Sequence, residues 1–185
     1  PDWLWDSWVR AYGSDQAAAI AEAHLIEPPL DITVKTDPET WVEPLEAELL
    51  PTGSLRRTAG GDIRGLPGFA EGAWWVQDAA AAMPARLLGD VSDQTVFDLC
   101  AAPGGKTAQL AEAGAEVQAV DSVESRLQRV DENLSRLGLN AQLVNADATQ
   151  WSPPQTADAV LLDAPCTATG TIRRRPDIAR QRTAG

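Results

Sequence analysis

The amino-acid sequence predicts an α/β protein with a doubly wound, mainly parallel sheet that follows a small amino-terminal α+β lobe. Three observations lead to this fold class. From about residue 72, short apolar runs typical of strands alternate with segments of helical periodicity. A glycine-rich turn follows the first of these strands, and aspartates lie near the ends of the later ones. Strands that alternate with helices form parallel sheets, whose faces the helices cover.

The segment 1–71 is expected to form the small lobe because it is acidic, rich in tryptophan and interrupted by prolines. Trp5, Trp8 and Tyr12 lie at intervals of three and four residues, which predicts an aromatic stripe on one face of a helix. Such a stripe usually packs into a core. The other predicted elements of the lobe are a helix over 17–23, a strand over 32–34 and a helix over 45–50.

Residues 72–185 are expected to form the amino-terminal part of the larger domain, beginning with a helix over 76–88. Pro84 should kink this helix or divide it in two, because proline lacks the N–H that a helix interior needs. In the segment 123–137, apolar residues recur at spacings of four and three and so share one helix face. The remaining predicted elements are strands over 95–100, 116–120, 142–144 and 159–162 and a helix over 106–113.

The glycine-rich turn lies within residues 98–107, Asp-Leu-Cys-Ala-Ala-Pro-Gly-Gly-Lys-Thr. At such a strand-to-helix junction, backbone N–H groups can meet a polar ligand, and glycine lets the backbone approach it closely. The spacing differs from the G-x-G-x-x-G of dinucleotide-binding proteins, and a Walker A loop would need a glycine at Cys100. The turn therefore predicts a ligand-binding loop of another kind.

Aspartates follow the second and third strands of the predicted sheet. Asp121 is suited to accept hydrogen bonds from two ribose hydroxyls, and Asp147 could accept one from an adenine amino group. An aspartate at a strand end also commonly caps a helix, so neither residue decides the matter alone. Together with the glycine-rich turn, the two aspartates favour a cofactor that contains adenosine.

The fourth predicted strand leads into Asp163-Ala-Pro-Cys166. A thiolate can add to an electron-poor ring carbon, and a neighbouring acid can stabilise the ring nitrogen as charge develops. A buried structural cysteine is the alternative for Cys166, and the spacing alone favours neither. Cys100 closes a buried strand and is expected to be inert.

Charge is distributed unevenly along the chain. A net charge of −12 argues against a general nucleic-acid-binding surface. Residues 1–50 carry 11 acids and 2 bases, whereas residues 151–185 carry 3 acids and 5 bases, all of them arginine. Contact with a polyanion is therefore expected only near the carboxyl end, with a solvated basic face as the alternative.

The composition excludes several classes of protein. Two cysteines and one histidine are too few for a disulfide scaffold or a Cys/His zinc site, so no metal is expected. Two lone thiols fit a reducing compartment, which predicts a cytoplasmic location. The sequence contains no apolar run of about 18 residues, so no membrane span is expected.

These motifs resemble those of a known family. Residues 98–107 resemble the first motif of RsmB/NOP-type RNA 5-methylcytosine methyltransferases, and residues 162–178 resemble their fourth motif. The run 172–178, Ile-Arg-Arg-Arg-Pro-Asp-Ile, is similar to the bacterial RsmB (Sun) branch, which modifies small-subunit ribosomal RNA. Residues 67–78 look like the segment that leads into the catalytic domain of that branch. The resemblance covers nearly the whole chain.

The resemblance implies a Rossmann-like S-adenosylmethionine-dependent methyltransferase fold and methylation of cytosine C5 in RNA, most simply 16S ribosomal RNA. Asp121 would bind the ribose, Asp147 would lie beside the adenine, and Asp163 would lie between the methionine end and the target base. In this family a cysteine of a later Thr-Cys motif attacks C6, and Cys166 would help to release the product. The cofactor would also be held by the turn residues Cys100, Ala101, Ala102, Pro103, Gly104, Gly105 and Lys106.

The sequence differs from the family pattern in three ways. It reaches Gly185 without the Thr-Cys motif, without the last strands of a seven-stranded sheet and without a NusB-like RNA-binding domain. This chain is therefore expected to bind the cofactor but not to turn over by itself. An incomplete sheet has an exposed edge, through which the chain could self-associate.

Four other interpretations remain at this stage. Cys166 could be the nucleophile, as in DNA cytosine-5 methyltransferases, which also use a Pro-Cys. The protein could be a non-catalytic ribosome-assembly module that binds S-adenosylmethionine and RNA, or its substrate could be transfer RNA. An NAD-type Rossmann protein is the fourth, although the glycine spacing argues against it.

Overall fold

The computed structural model describes residues 1–183. The chain forms two compact units, one made of Pro1–Pro28 with Pro165–Gly185 and the other of Pro29–Ala164. This division does not follow the predicted boundary between residues 71 and 72, which stays a prediction. Within the described residues, no helix is both long enough and apolar enough to cross a membrane.

The described residues form six α-helices and eight strands. The helices are α1 Asp2–Tyr12, α2 Ser14–Ala23, α3 Ala79–Arg86, α4 Gly105–Glu112, α5 Glu124–Leu137 and α6 Ile178–Gln181. The strands are β1 Leu30–Val34, β2 Ala47–Leu49, β3 Leu55–Arg57, β4 Trp74–Val76, β5 Thr95–Leu99, β6 Glu116–Asp121, β7 Gln142–Asn145 and β8 Ala159–Leu162.

The first unit is helical, and its core differs from the predicted aromatic stripe. Helix α1 forms as expected, but Trp5 and Tyr12 are 41% and 62% exposed. The residue that α1 buries is Leu4, which shares a core with Ile172 and Ile178. The prediction that the stripe packs into a core is wrong for Trp5 and Tyr12, because the helix turns the face that carries Leu4 inward.

The second unit begins with an antiparallel sheet of order β2-β3-β1-β4. The predicted helix over 45–50 is wrong, because Ala47–Leu49 pairs with Leu55–Arg57 as strand β2. Glu46 has a φ of 48°, which helical residues do not adopt, and Leu45 is fully buried in the core of this sheet. Tertiary pairing and burial therefore override the local helical pattern.

Helix α3 follows the sheet and begins later than predicted. Val76 belongs to β4 and pairs with Ile32, so the predicted helix over 76–88 is shortened at its start. Pro84 lies inside α3 and does not split it. Helical hydrogen bonds continue on both sides of the proline, from Ala82 N to Asp78 O and from Leu87 N to Met83 O, each 3.0 Å.

The parallel sheet has the order β7-β6-β5-β8, and all its pairings are parallel, as predicted. The chain runs from β5 through β6 to β7 and then crosses back to place β8 on the other side of β5. Strands β5 and β8 therefore flank the topological switch point, where open α/β sheets bind ligands. The predicted apolar face of α5 is confirmed for Leu127, Val130, Leu134 and Leu137, which share one core cluster, whereas Val123 precedes the helix and is 42% exposed.

Candidate functional site

The glycine-rich turn leaves β5 at its carboxyl end and enters α4 with unusual backbone geometry. Cys100 and Gly104 have φ values of 64° and 99°. Gly104 donates from its N–H to Ala101 O at 2.8 Å, and its own carbonyl accepts from Ala108 N at 2.8 Å. A Cβ on Gly104 would lie 3.0 Å from Val130 Cγ1, so the turn packs tightly against α5.

The first turn of α4 carries unsatisfied donors. Gly104 precedes the helix, and among the described residues no side chain caps this helix end. The first N–H groups of a helix have no partner within the helix and favour an anionic ligand. Lys106 adds a positive charge at the second position of α4. This helix end is therefore suited to a carboxylate.

Asp121 lies at the end of β6 and fastens the turn to α5. Its Oδ2 accepts from Ala102 N at 3.3 Å, and its Oδ1 accepts from Val123 N at 3.1 Å. Arg126 places a guanidinium nitrogen 3.5 Å from Oδ2. Since a carboxylate oxygen can accept two hydrogen bonds, Oδ1 can still accept one from a ligand hydroxyl.

Asp147 lies beyond β7 and is exposed. Its Oδ1 accepts from Thr149 N at 2.9 Å and from Thr149 Oγ1 at 2.8 Å, and these hydrogen bonds lower the pKa of Asp147. The end of β7 is tied to Asp121, whose carbonyl accepts from Asn145 Nδ2 at 3.1 Å. Asp147 therefore stabilises a local turn in this structure, and its contact with adenine stays a prediction.

Asp163 and Lys106 meet across the topological switch point. Lys106 Nζ lies 2.7 Å from Asp163 Oδ2, and the lysine side chain is largely buried. Asp163 N donates to Leu99 O at 3.3 Å, which continues the pairing of β8 with β5. The structure thus brings together two of the predicted site residues as an ion pair beside the turn.

Asp98 is a site residue that the sequence analysis did not single out. It is 1% exposed, and its Oδ2 accepts from Thr107 Oγ1 at 2.6 Å. Its Oδ1 is buried without a hydrogen-bond partner among the described residues. Burial raises the pKa of Asp98 to about 6, although the Thr107 hydrogen bond and the charge of Lys106 oppose this rise. The sequence did contain a signal for this residue, since Asp98 is an acid within an apolar strand next to the turn.

The two cysteines lie in different environments. Cys100 is half-buried, and burial followed by the charge of Asp121 raises the pKa of its thiol, so the neutral thiol predominates at neutral pH. Cys166 belongs to the helical unit and is exposed, with Sγ accepting from Ala168 N at 3.3 Å. The alternative that Cys166 is a buried structural residue is therefore wrong.

The basic segment of the helical unit contains two kinds of arginine. Arg173 is half-buried and donates to Ile26 O at 3.2 Å and Glu27 O at 3.3 Å, so it fastens the end of the α2 segment. The side chains of Arg175, Arg180 and Arg182 are exposed. These three arginines are available to an anionic partner, whereas Arg173 has a structural role.

The donor set at the switch point fits S-adenosylmethionine. Asp121 Oδ1 offers an acceptor for a hydroxyl, and the α4 end with Lys106 offers donors for a carboxylate. A side chain on Gly104 would press against Val130, so the turn lies close to α5 at this position. No group of three or more His, Cys, Asp or Glu side chains among residues 1–183 could hold a metal ion.

Residues 85–185, which are more than half of the chain, match the model of the family described as 16S rRNA methyltransferase RsmB/F. The protein named ribosomal RNA small subunit methyltransferase B from Pseudomonas syringae pv. tomato is 43% identical over 196 residues. That alignment covers 96% of this chain and 43% of the relative. The chain therefore spans less than half the length of this relative.

Two solved structures have the same fold. The crystal structure of PH0851 matches with a TM-score of 0.87 and 28% identity, covering 99% of this chain and 45% of that one. The structure of NSun6 from Pyrococcus horikoshii, determined with SFG, matches with a TM-score of 0.84 and 23% identity, covering 100% and 74%. The predicted α/β fold of methyltransferases is therefore confirmed.

Proposed function

The chain belongs to the 16S rRNA methyltransferase RsmB/F family, and from this premise we propose that it is the cofactor-binding part of an enzyme that methylates cytosine C5 in 16S ribosomal RNA. The product would be 5-methylcytosine, and the methyl donor would be S-adenosylmethionine. The observation that carries this proposal is the glycine-rich turn held between Asp121 on one side and the Lys106–Asp163 ion pair on the other.

In this proposal each strand end recognises one part of the cofactor, which supplies an electrophilic methyl group when bound. Asp121 accepts hydrogen bonds from the ribose hydroxyls, and Asp147 accepts one from the adenine amino group. The α4 end and Lys106 hold the methionine carboxylate, since this is the only anionic group of the cofactor. Asp163 contacts the methionine end and the target base. The backbone of residues 100–105 lines the site between Asp121 and the Lys106–Asp163 ion pair.

Isothermal titration of the chain with S-adenosylmethionine tests the cofactor assignment. We expect saturable binding that Asp121→Ala abolishes, because the ribose hydroxyls lose their acceptor. Asp158→Ala is the matched control, because Asp158 accepts from Thr95 N at 2.9 Å at the opposite end of the parallel sheet. Equal loss of affinity in both variants, or no binding by folded chain, would contradict this assignment.

Cys166 is proposed to help release the methylated product, while a cysteine in another segment of the full-length protein attacks C6 of cytosine. The exposure of the Cys166 thiol supports contact with a substrate. In the full-length protein, Cys166→Ala should accumulate a covalent complex with RNA, visible as a band that resists denaturation. If no covalent complex forms with this variant, Cys166 is the nucleophile and the release role is wrong.

Small-subunit ribosomal RNA is the proposed partner, with Arg175, Arg180 and Arg182 contacting its phosphates. Replacing all three by alanine in the full-length protein should reduce the slope of log K against log salt by about 2 for a 16S transcript. Arg64→Ala with Arg129→Ala is the control, because both side chains are exposed elsewhere on the chain. A transfer RNA that competes as well as the 16S transcript would overturn the choice of substrate.

We also propose that the chain self-associates through β8. Among the described residues β8 pairs only with β5, and its Val160 and Leu162 are 52% and 62% exposed. An apolar edge strand favours pairing with a second copy. Sedimentation of the chain should show a dimer that Val160→Lys dissociates; a monomer at all concentrations would contradict it.

We further propose that the protein is cytoplasmic. Cell fractionation tests this location, and a membrane-bound pool would contradict it.

A further inference from the structure

A chain of side-chain amides, buried at Gln77 and half-buried at Gln109, connects the antiparallel sheet to α4. Gln77, which follows β4, is only 6% exposed. Its Oε1 accepts from Thr33 Oγ1 at 3.0 Å and from Trp75 Nε1 at 2.9 Å. Its Nε2 donates to Gln109 Oε1 at 2.6 Å, and Gln109 Nε2 donates in turn to Ala82 O at 3.1 Å.

The indole of Trp75 determines the direction of this chain. An indole N–H can only donate, so the amide of Gln77 must present its oxygen to Trp75 and its nitrogen to Gln109. Gln109 must then present its oxygen to Gln77 and its nitrogen to the carbonyl of Ala82. Each amide therefore has one allowed orientation, which restricts the rotation of both side chains.

Gln77 contacts α4 at two positions that lie one helical turn apart. A Cβ on Gly105, the first residue of α4, would lie 3.5 Å from Gln77 Cδ, so the Gln77 side chain packs over the start of the helix. Its hydrogen bond to Gln109 holds the same helix one turn further on. Contacts at two levels determine how α4 is rotated and hence the direction of its free N–H groups and of Lys106.

We propose that Gln77 is a positioning residue that orients the amino-terminal end of α4 for the methionine carboxylate of the cofactor. This inference rests on the proposed function. The free N–H groups of α4 favour an anion, and the methionine carboxylate is the only anion that S-adenosylmethionine carries. Adenosine lacks this carboxylate, and the acids assigned to its hydroxyls and amino group lie outside α4. Gln77 therefore affects one end of the ligand and not the other.

Binding of S-adenosylhomocysteine is compared with binding of adenosine, because only the first ligand carries the methionine carboxylate. Gln77→Leu should weaken S-adenosylhomocysteine by about tenfold, since a hydrogen bond is lost from the support of α4, and leave adenosine unchanged. Gln118→Leu is the matched control, because Gln118 is 5% exposed in β6 and lies outside the amide chain. A merely structural role would weaken both ligands equally, which would overturn the proposal, as would unchanged affinity for both.

Gln109→Leu is a milder variant, because Gln109 is only half-buried and its loss leaves the Trp75–Gln77 hydrogen bond intact. It should shift the ratio of the two affinities in the same direction. Hydrogen exchange of the amides at 108–112, which are hydrogen-bonded within α4, provides a readout without ligand. We expect faster exchange there in Gln77→Leu and unchanged exchange in α5; equal rates at 108–112 in variant and wild type would overturn the proposal.

The exchange measurement also separates this inference from the proposed function. If the wild-type chain binds neither S-adenosylhomocysteine nor adenosine, the cofactor assignment fails, while faster exchange at 108–112 in Gln77→Leu still supports Gln77 as the residue that positions α4. If the wild-type chain binds both ligands and Gln77→Leu alters neither the affinity ratio nor the exchange, the positioning role fails and the cofactor assignment stands.

Discussion

Two buried acids, one in each four-stranded sheet of Pro29–Ala164, differ in their partners. In the antiparallel sheet, Asp31 is fully buried and accepts two hydrogen bonds from Arg56, at 2.7 and 2.8 Å. It also accepts from Ala79 N at 3.0 Å. In the parallel sheet, Asp98 is equally buried but has only the Thr107 hydroxyl, and its second oxygen has no partner among the described residues.

This difference indicates what each sheet does. A buried carboxylate is costly unless it is paired, so the Asp31–Arg56 pair stabilises the junction between β1, β3 and the start of α3. Asp98 keeps an unsatisfied acceptor next to the glycine-rich turn, and burial raises its pKa, which favours the neutral acid. Asp31 is therefore a paired acid that supports its sheet, whereas Asp98 is a buried acid with one unpaired oxygen next to the glycine-rich turn.

The largest loss of stability is expected from a substitution in the antiparallel sheet. Asp31→Ala removes the partner of the partly exposed Arg56 and leaves the buried Ala79 N without its acceptor, and should reduce the free energy of unfolding by about 3 kcal/mol. Urea unfolding followed by tryptophan fluorescence measures this loss, since Trp74 and Trp75 are buried in this region. A loss no larger than that of a surface substitution would show that the pair contributes little.

The second effect tests the unpaired acid through pH. Asp98 has a pKa of 3.8 in the unfolded chain and about 6 in the folded protein. Its contribution to stability is therefore fully present below pH 3.8 and is lost as the pH rises through about 6. Between about pH 4 and pH 8, the wild type should lose about 2 kcal/mol relative to Asp98→Asn. Parallel unfolding curves across this range would mean that Asp98 is not buried as a neutral acid.

The third effect concerns the turn itself. Gly104→Ala places a Cβ 3.0 Å from Val130 Cγ1 at a φ of 99°, which disfavours any residue with a side chain. We expect a loss of about 1–2 kcal/mol in stability and a larger loss of affinity for S-adenosylmethionine, because the turn must move away from α5. Gly89→Ala is the control, since its φ of 77° is also positive but nothing lies within 4 Å of the added Cβ. Equal loss of affinity in both variants would contradict the role of close packing.

The smallest effect is expected at an exposed ion pair. Arg64 lies 3.3 Å from Asp62, and both side chains are mostly exposed. Arg64→Ala should leave the melting temperature unchanged, because solvent and salt screen such pairs. A clear drop in melting temperature would show that charge pairing stabilises this region regardless of burial, which would weaken the contrast between Asp31 and Asp98.

The agreement between sequence and structure also differs between the two sheets. Strands β5, β6, β7 and β8 and helix α5 follow from local patterns, because each strand contains a short apolar run and an amphipathic helix repeats every three to four residues. The antiparallel sheet uses strands as short as three residues, such as Ala47–Leu49. A three-residue strand carries too little periodicity to distinguish it from a short helix, which explains the wrong prediction over 45–50.

The sequence by itself determined the parallel sheet, the glycine-rich turn and the acids at its strand ends, because each depends on neighbouring residues. Only the tertiary structure decided which polar groups meet, because that depends on distant residues. Gln77 meets Thr33 and Gln109, which are 44 and 32 positions away, and Lys106 meets Asp163 across 57. Tertiary packing also left Asp98 with an unpartnered oxygen, which no local pattern encodes.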